Sequence, residues 1–259
     1  MPYCQTKDGQ IFYQTFGNKS NPALIFSNSL GTDHTMWQPQ VDALQDKFFI
    51  VAYDTRGHGK SDVPKGSYTI NDLGGDVIAL LNELSIQKAN FCGISMGGLT
   101  GLWLAIHQPG HFDKIIVSNT AAKIGQESAW QDRAKLVLEH GLESVASSAP
   151  SRWFSESFVA RNGDTVDRLI KNLSNQSAEG YSACCQALAI ADVRDELKEI
   201  KLPILSIGGE LDPVTTVSDA QYIVDNVSGA ILATIQASHI ANIERPDDFN
   251  KIIEGFVSG

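Results

Sequence analysis

The sequence lacks long apolar segments: no apolar run reaches the roughly 20 residues that a transmembrane helix requires. The first residues, Met1 to Cys4, lack the basic and apolar regions of a secretory signal, so we expect a cytoplasmic protein. Internal repeats and low-complexity segments are also missing. A chain of 259 residues is long enough for one sizeable globular domain with an inserted lobe.

Cysteine is scarce as well. The four cysteines are too few and too irregularly spaced to form a disulfide framework in a chain of this length. Cys184 and Cys185 are adjacent and therefore poor candidates for a mutual bridge, and Cys92 lies in a predicted buried strand. No spacing of cysteine and histidine matches a structural zinc site. We therefore expect neither a metal nor a cofactor.

Positive charge is in deficit, with 20 basic against 30 acidic residues and a net charge of −10. This balance argues against nucleic acid or an anionic membrane surface as a partner. A hydrophobic content of 42% and a charged content of 19% are those of a soluble globular protein. An anionic small molecule would need cations placed locally.

Buried-strand patterns alternate with helical patterns along most of the chain. A hairpin at 2–16 is followed by predicted buried strands at 23–26, 48–53, 88–92, 115–117, 202–207 and 230–235. Helices are predicted between these strands, at 69–84 for example, and a last helix begins near Pro246. This order predicts an α/β fold with a mostly parallel, eight-stranded, doubly wound sheet and helices on both faces.

The alternation stops between 121 and 192, where helical patterns follow one another. Helices are predicted there at 129–139, 142–147, 165–173 and 178–191. We interpret 121–192 as a helical lid inserted into a core domain made of 1–120 and 193–259. The aromatic residues of the insertion are candidates for either the lid core or the wall of a substrate pocket.

The six residues from Gly93 to Gly98 have the pattern of a nucleophile elbow, a sharp turn that exposes a serine between a strand and a helix. Ser95 must adopt a strained backbone angle there. A turn this tight leaves no space for side chains two residues on either side, which explains Gly93 and Gly97. Packing of the following helix against the strand favours another small residue, Gly98.

A serine hydroxyl needs a base within hydrogen-bond reach and a group that orients the base. In α/β hydrolases the order along the chain is serine, acid, histidine. His239 follows the last predicted strand and Asp212 follows the strand before it, so both are expected beside Ser95 at one sheet edge. Glu210 is the competing acid, less favoured because it directly follows a glycine pair.

The loop 27–33 follows a buried strand and precedes a helix near Trp37. In a hydrolase of this layout such a loop supplies one backbone N–H to an oxyanion hole, and Leu30 has the expected position. Met96, directly after the nucleophile, supplies the second N–H. These assignments predict acyl transfer, in which His239 takes the proton of Ser95.

Two other polar segments at strand ends receive no catalytic assignment. Asp54, Arg56 and His58 lie in a turn rich in glycine and short polar residues, and we expect them to hold that turn by hydrogen bonds. The strand ending near 117 is followed by Asn119, at a position where some related hydrolases carry the acid of the triad. The acid must therefore come from elsewhere in the chain.

Several segments resemble 3-oxoadipate enol-lactonases of the α/β-hydrolase superfamily. The two more specific ones are Asn28-Ser29-Leu30-Gly31-Thr32 at the oxyanion loop and Asn119-Thr120-Ala121-Ala122-Lys123-Ile124-Gly125 entering the lid. The resemblance runs nearly end to end and includes 53–59, 91–98, 178–183 and 213–216. It implies hydrolysis of the enol-lactone to 3-oxoadipate, a step of the β-ketoadipate pathway that degrades catechol and protocatechuate.

The substrate that this resemblance implies is an anionic lactone, and the lid is where we expect its cation. Arg133 lies three residues after Trp130, which places both on one face of the first lid helix. We therefore predict Trp130, Arg133 and Trp153 as substrate-binding residues. Arg152, beside Trp153, is the alternative cation, and a solvated Arg133 on an exposed face is nearly as well supported.

Other functions share the same constellation. General carboxylesterases, perhydrolases and carbon–carbon-bond hydrolases of this fold use the same triad, whereas Ser95 excludes relatives with an aspartate nucleophile. A ligand receptor that keeps the fold and the triad without turnover is the alternative from another class. Turnover of substrate distinguishes an enzyme from such a receptor.

Overall fold

The computed structural model describes residues 2–259 and is built around one eight-stranded sheet. The strands are β1 (Tyr3–Gln5), β2 (Gln10–Phe16), β3 (Ala23–Ser27), β4 (Phe49–Tyr53), β5 (Ala89–Ile94), β6 (Phe112–Ser118), β7 (Ile204–Gly209) and β8 (Ile231–Ile235). They lie in the order β1-β2-β4-β3-β5-β6-β7-β8. The pairs β1/β2 and β2/β4 are antiparallel and the other pairs are parallel, which confirms the predicted sheet.

The central strands are apolar because both of their faces are covered. Every residue of β3, β4, β5 and β7 is buried, so these strands are continuous apolar runs and do not alternate. One row of the sheet pairs Phe26 with Cys92, Cys92 with Ile116 and Ile116 with Leu205. Cys92 is fully buried, as predicted, and burial raises the pKa of its thiol. The register brings the carboxyl ends of these strands to one edge.

Within the described residues, twelve α-helices accompany the sheet. They are α1 (Gln38–Leu44), α2 (Ile70–Glu83), α3 (Met96–His107), α4 (Glu127–His140), α5 (Glu143–Ser147), α6 (Ala149–Trp153), α7 (Glu156–Arg161), α8 (Gly163–Ser174), α9 (Ala178–Ile190), α10 (Val217–Asn226), α11 (Ala241–Glu244) and α12 (Pro246–Ser258). α1 packs with α11 and α12, and α2 packs with α3. Within residues 2–259, no helix combines the length and apolar character needed to cross a bilayer.

The helical insertion lies between β6 and β7. Four of its helices, α4, α5, α8 and α9, correspond to the predicted ones, whereas the short helices α6 and α7 were not predicted. α4 packs along α9. The two ends of the insertion meet, since Val193 N donates to Ala122 O at 3.0 Å and Lys123 pairs with Asp192 at 3.4 Å. The insertion therefore leaves and re-enters the core at one point.

Candidate active site

Ser95 lies in a sharp turn between β5 and α3, with φ 57° and ψ −116°. This is a strained conformation for a residue with a side chain. A Cβ atom on Gly93 would lie 2.2 Å from Gly97 O, and one on Gly97 would lie 2.3 Å from Ser27 O. Both positions therefore require glycine, for the reason that the sequence suggested.

Neighbouring strands hold the strained turn in place. Ser95 N donates to Ser118 O at 3.0 Å, and Thr120 Oγ1 donates to Ser95 O at 2.7 Å. A Cβ atom on Gly98 would lie 2.7 Å from Thr120 Cβ, so this glycine makes room for the chain that follows β6. The backbone of Ser95 is thus fixed from both sides, and its side chain faces a cavity.

The structure brings Asp212 and His239 together beside that cavity. His239 Nδ1 and Asp212 Oδ2 are 2.8 Å apart, and both side chains are buried. The Asp212 carboxylate also accepts from Val214 N at 2.7 Å, Thr215 Oγ1 at 2.9 Å and Asn119 Nδ2 at 3.0 Å. Burial raises the pKa of Asp212, but the hydrogen bond and charge of His239 and the other donors outweigh burial and lower it below its ordinary value.

Ser95 and His239 line the same cavity. Because Asp212 occupies Nδ1 of His239, Nε2 is the ring nitrogen left to take a proton from the serine. Glu210, the competing acid, is exposed and accepts from Thr234 Oγ1 at 2.9 Å. The partner of His239 is therefore Asp212.

Sequence reasoning missed the residues that orient the acid. Asn119 has φ 46° and donates to Asp212 Oδ2 and to Ser238 O, the latter at 3.1 Å. Its amide thus links the carboxylate to the loop that carries His239. The available signal was the position of Asn119 at the end of β6, the same edge at which Asp212 was expected. Thr215 carries no comparable signal.

The two proposed oxyanion donors lie on either side of the serine. Met96 is the first residue of α3, and Leu30 lines the cavity with Ser95. The two segments are joined because Gly97 N donates to Asn28 O at 3.0 Å. The N–H groups of Leu30 and Met96 make no hydrogen bond to residues 2–259, which leaves both free for an oxyanion.

The cavity above Ser95 has a volume of about 200 Å³ and is lined by residues of the core and of the insertion. This is small beside the ~300–1,000 Å³ of pockets for drug-sized ligands, so it suits a compact substrate. The lining from the insertion includes all three predicted substrate-binding residues and the alternative cation: Trp130, Arg133, Arg152 and Trp153. The Arg133 guanidinium lies over the Trp130 ring, 4.9 Å from its centroid.

Two positive charges therefore face one small cavity. Within residues 2–259 the ion pairs of arginine involve Arg56 and Arg194, and neither Arg133 nor Arg152 pairs with a carboxylate. Arg152 is tied within the insertion to Ser148 Oγ at 2.5 Å. Burial and the charge of Arg133 lower the pKa of Arg152, so an anion in the cavity would stabilise both cations.

One group of side chains away from the serine has the composition of a metal site. Ligand atoms of Asp33, His34 and Asp54 lie within 4.8 Å of one another. The oxygens of Asp54, however, accept from His34 N and Nδ1 and from Lys60 N, at 2.7 to 2.8 Å. These atoms hold the loops that follow β3 and β4, and we assign no metal to them.

Comparison with known proteins identifies the family. The alpha/beta hydrolase fold family matches residues 22–246. 3-Oxoadipate enol-lactonases 2 and 1 of Acinetobacter baylyi are 53% and 48% identical, covering 96% and 94% of this chain and 93% and 91% of those proteins. The crystal structure of the enol-lactonase from Burkholderia xenovorans matches 100% of both chains with a TM-score of 0.98 at 39% identity. With such identity over nearly its full length, this chain belongs to the 3-oxoadipate enol-lactonase family of alpha/beta hydrolases.

Proposed function

We propose that the chain hydrolyses 3-oxoadipate enol-lactone to 3-oxoadipate, with Ser95 as nucleophile, His239 as general base and Asp212 as the group that orients it. The observation that carries the proposal is the placement of two arginines without carboxylate partners in the cavity of Ser95. The substrate that the relatives' names give carries a carboxylate beside its lactone, so it supplies the missing anion.

Acylation begins when His239 Nε2 takes the proton of Ser95 and Oγ attacks the lactone carbonyl carbon. The carbonyl oxygen becomes an oxyanion, which the N–H groups of Leu30 and Met96 stabilise. Loss of one such donor typically raises the barrier by about 2.7–4 kcal/mol. The ionised Asp212 stabilises the imidazolium that forms and keeps the proton of neutral His239 on Nδ1.

Collapse of the tetrahedral intermediate breaks the ring C–O bond. The leaving oxygen belongs to an enol and takes the proton from His239, and because the substrate is cyclic, this enol stays attached to the acyl group. Water then attacks the acyl-enzyme with His239 again as base, which releases Ser95 and a carboxylic acid. Conversion of the enol to its ketone gives the 3-oxo group of the product.

We assign residues 121–192 to a lid over this site, and 1–120 with 193–259 to the core domain. The contact between Ala122 and Val193 at the base of the insertion supports these limits. Arg133 is the proposed ligand of the substrate carboxylate, with Trp130 and Trp153 as apolar walls. The net charge of −10 supports a small-molecule partner rather than nucleic acid or a membrane.

The assignment of Arg133 predicts a selective defect. A charge-assisted hydrogen bond is worth about 1.5–3 kcal/mol, so Arg133→Ala should lower kcat/KM for the anionic lactone about ten- to a hundredfold. A neutral p-nitrophenyl ester has no carboxylate that Arg133 could bind, so its kcat/KM should change by less than about twofold. The measurement is initial-rate spectrophotometry on both substrates.

Two further variants sharpen this test. Arg168→Ala removes an exposed arginine of the insertion that lies outside the cavity, and both activities should stay at the wild-type level. Arg152→Ala shows whether the alternative cation carries the effect. Equal losses on lactone and ester in Arg133→Ala would mean that the substitution damages the insertion, and Arg133 would lose its assigned role.

A further inference from the structure

The loop that carries Leu30 is a tight turn. Thr32 N and Thr32 Oγ1 both donate to Ser29 O, at 3.2 and 2.8 Å, so Leu30 and Gly31 occupy the two central positions. Gly31 has φ +83°, the feature of a type II turn at its third residue. Turn types I and II differ chiefly in the orientation of the central peptide, which here joins Leu30 to Gly31. A specific contact must therefore select the orientation of that peptide.

His58 contacts this peptide directly. Gly31 N–H donates to His58 Nε2 at 2.9 Å, and His58 is only 1% exposed. The other ring nitrogen, Nδ1, lies 3.3 Å from Arg56 O and so carries the proton. Burial lowers the pKa of His58, which keeps the ring neutral and Nε2 an acceptor. The N–H of the central peptide therefore donates to a buried acceptor, His58 Nε2, whose position is fixed.

We propose that His58 is a positioning residue for the oxyanion hole: its hydrogen bond to Gly31 N anchors the turn directly after Leu30, and so keeps the preceding Ser29–Leu30 peptide, which carries the Leu30 N–H, in place at the cavity. On the other side of Leu30, Asn28 is fixed by Gly97 N and by Trp37 Nε1, which donates to Asn28 Oδ1 at 2.9 Å. His58 anchors the turn from outside at Gly31. The inference rests on the proposed function only through the assignment of Leu30 N–H as a donor.

The turn that contains His58 does not need this hydrogen bond for its own structure. Its backbone is closed by His58 N to Thr55 O at 2.9 Å and Ser61 N to His58 O at 3.0 Å. The Arg56 side chain is held by two hydrogen bonds to Asp76, at 2.6 and 2.7 Å. Nε2 of His58 therefore points away from its own turn and acts on the neighbouring loop.

Two substitutions of His58 distinguish the roles of its two ring nitrogens. The amide of His58→Gln reaches about as far as Nε2 and can still accept from Gly31. The shorter amide of His58→Asn lies near the place of Nδ1, so it keeps the contact with Arg56 O and loses Gly31. The probes are p-nitrophenyl acetate turnover, inhibition by phenylboronic acid, which forms a tetrahedral adduct with the serine, and binding of adipate, an unreactive dicarboxylate.

We expect His58→Asn to lower kcat for p-nitrophenyl acetate about ten- to a hundredfold and to weaken inhibition by the boronate by the same factor. KM and the Kd of adipate should change by less than about twofold, and His58→Gln should restore most of the activity. Wild-type kcat and boronate inhibition in a folded His58→Asn would overturn the proposal. So would a parallel loss of adipate binding, or an equal defect in both variants.

Turnover of p-nitrophenyl acetate and inhibition by phenylboronic acid, which decide the test, involve neither the lactone nor a carboxylate; adipate serves only as a check on the cavity. Failure of the proposed substrate would therefore leave this test intact, and failure of this test would leave the assignment of the substrate untouched. If His58→Asn does not fold, His58→Gln alone still decides, because a folded glutamine variant with a large kcat defect contradicts the role of an acceptor at Nε2.

Discussion

Replacement of Ser95 by alanine is expected to lower kcat for the enol-lactone by about 10⁴-fold or more, because no other group at the elbow can form the acyl-enzyme. The fold should survive. Ser95 Oγ makes no hydrogen bond to residues 2–259, and alanine meets the same strain as serine at φ 57°. The elbow is held by backbone contacts and by its glycines, none of which the substitution removes.

Initial rates of lactone hydrolysis and the thermal midpoint of unfolding, measured on one preparation, test this expectation. Ser174→Ala, at the exposed end of α8, is a matched control that should keep wild-type turnover and stability. A folded Ser95→Ala variant that retained more than a tenth of wild-type turnover would eliminate Ser95 as the nucleophile. The boronate should also lose its inhibition in that variant, since its adduct forms on Ser95.

The second large effect concerns Asp212. Substitution by asparagine should lower kcat about 10⁴-fold, the magnitude seen when the acid of a triad becomes an amide and the histidine takes the wrong tautomer. Asp212 Oδ2 accepts from three donors, those of His239, Thr215 and Asn119. The NH₂ group of an asparagine at that place would face hydrogen-bond donors only. Either the asparagine side chain must therefore turn, or the proton of His239 must move from Nδ1 to Nε2. A ring that is protonated at Nε2 cannot act as the base for Ser95.

The competing acid supplies the control. Glu210→Gln changes an exposed side chain that bonds Thr234, and its kcat should stay within about twofold of wild type. Steady-state kinetics of both variants decide between the two acids. A large defect in Glu210→Gln together with near-normal turnover in Asp212→Asn would reverse the assignment.

Local sequence patterns made much of the fold and of the candidate active site predictable. The fold follows from apolar runs at regular spacing. The elbow follows from its glycines, because a side chain at either position would clash with backbone close by. The contact of Asp212 with His239 was predictable because parallel strands end at one edge. Helices of five or six residues are too short to show a clear period, so the sequence does not decide them: α5 was predicted, whereas α6 and α7 were missed.

Other features depend on contacts between distant segments. Asn119 and Asp212 lie 93 positions apart, and no local pattern indicates that the amide of one bonds the carboxylate of the other. His58 was expected to hold its own turn, whereas its Nε2 acts on a loop 27 positions earlier. Both Arg133 and Arg152 face the cavity, a result of the packing of α4 and α6 that helix spacing alone leaves open.

The most direct measurement of the central claim compares kcat/KM of the wild-type enzyme for 3-oxoadipate enol-lactone and for p-nitrophenyl acetate, under one set of conditions. The cavity offers the lactone two unpaired guanidinium groups that a neutral ester cannot use. At about ten- to a hundredfold for the one charge-assisted contact that we assign to Arg133, kcat/KM for the lactone should exceed that for the ester by at least about tenfold. An ester hydrolysed as efficiently as the lactone, or more so, would contradict the account.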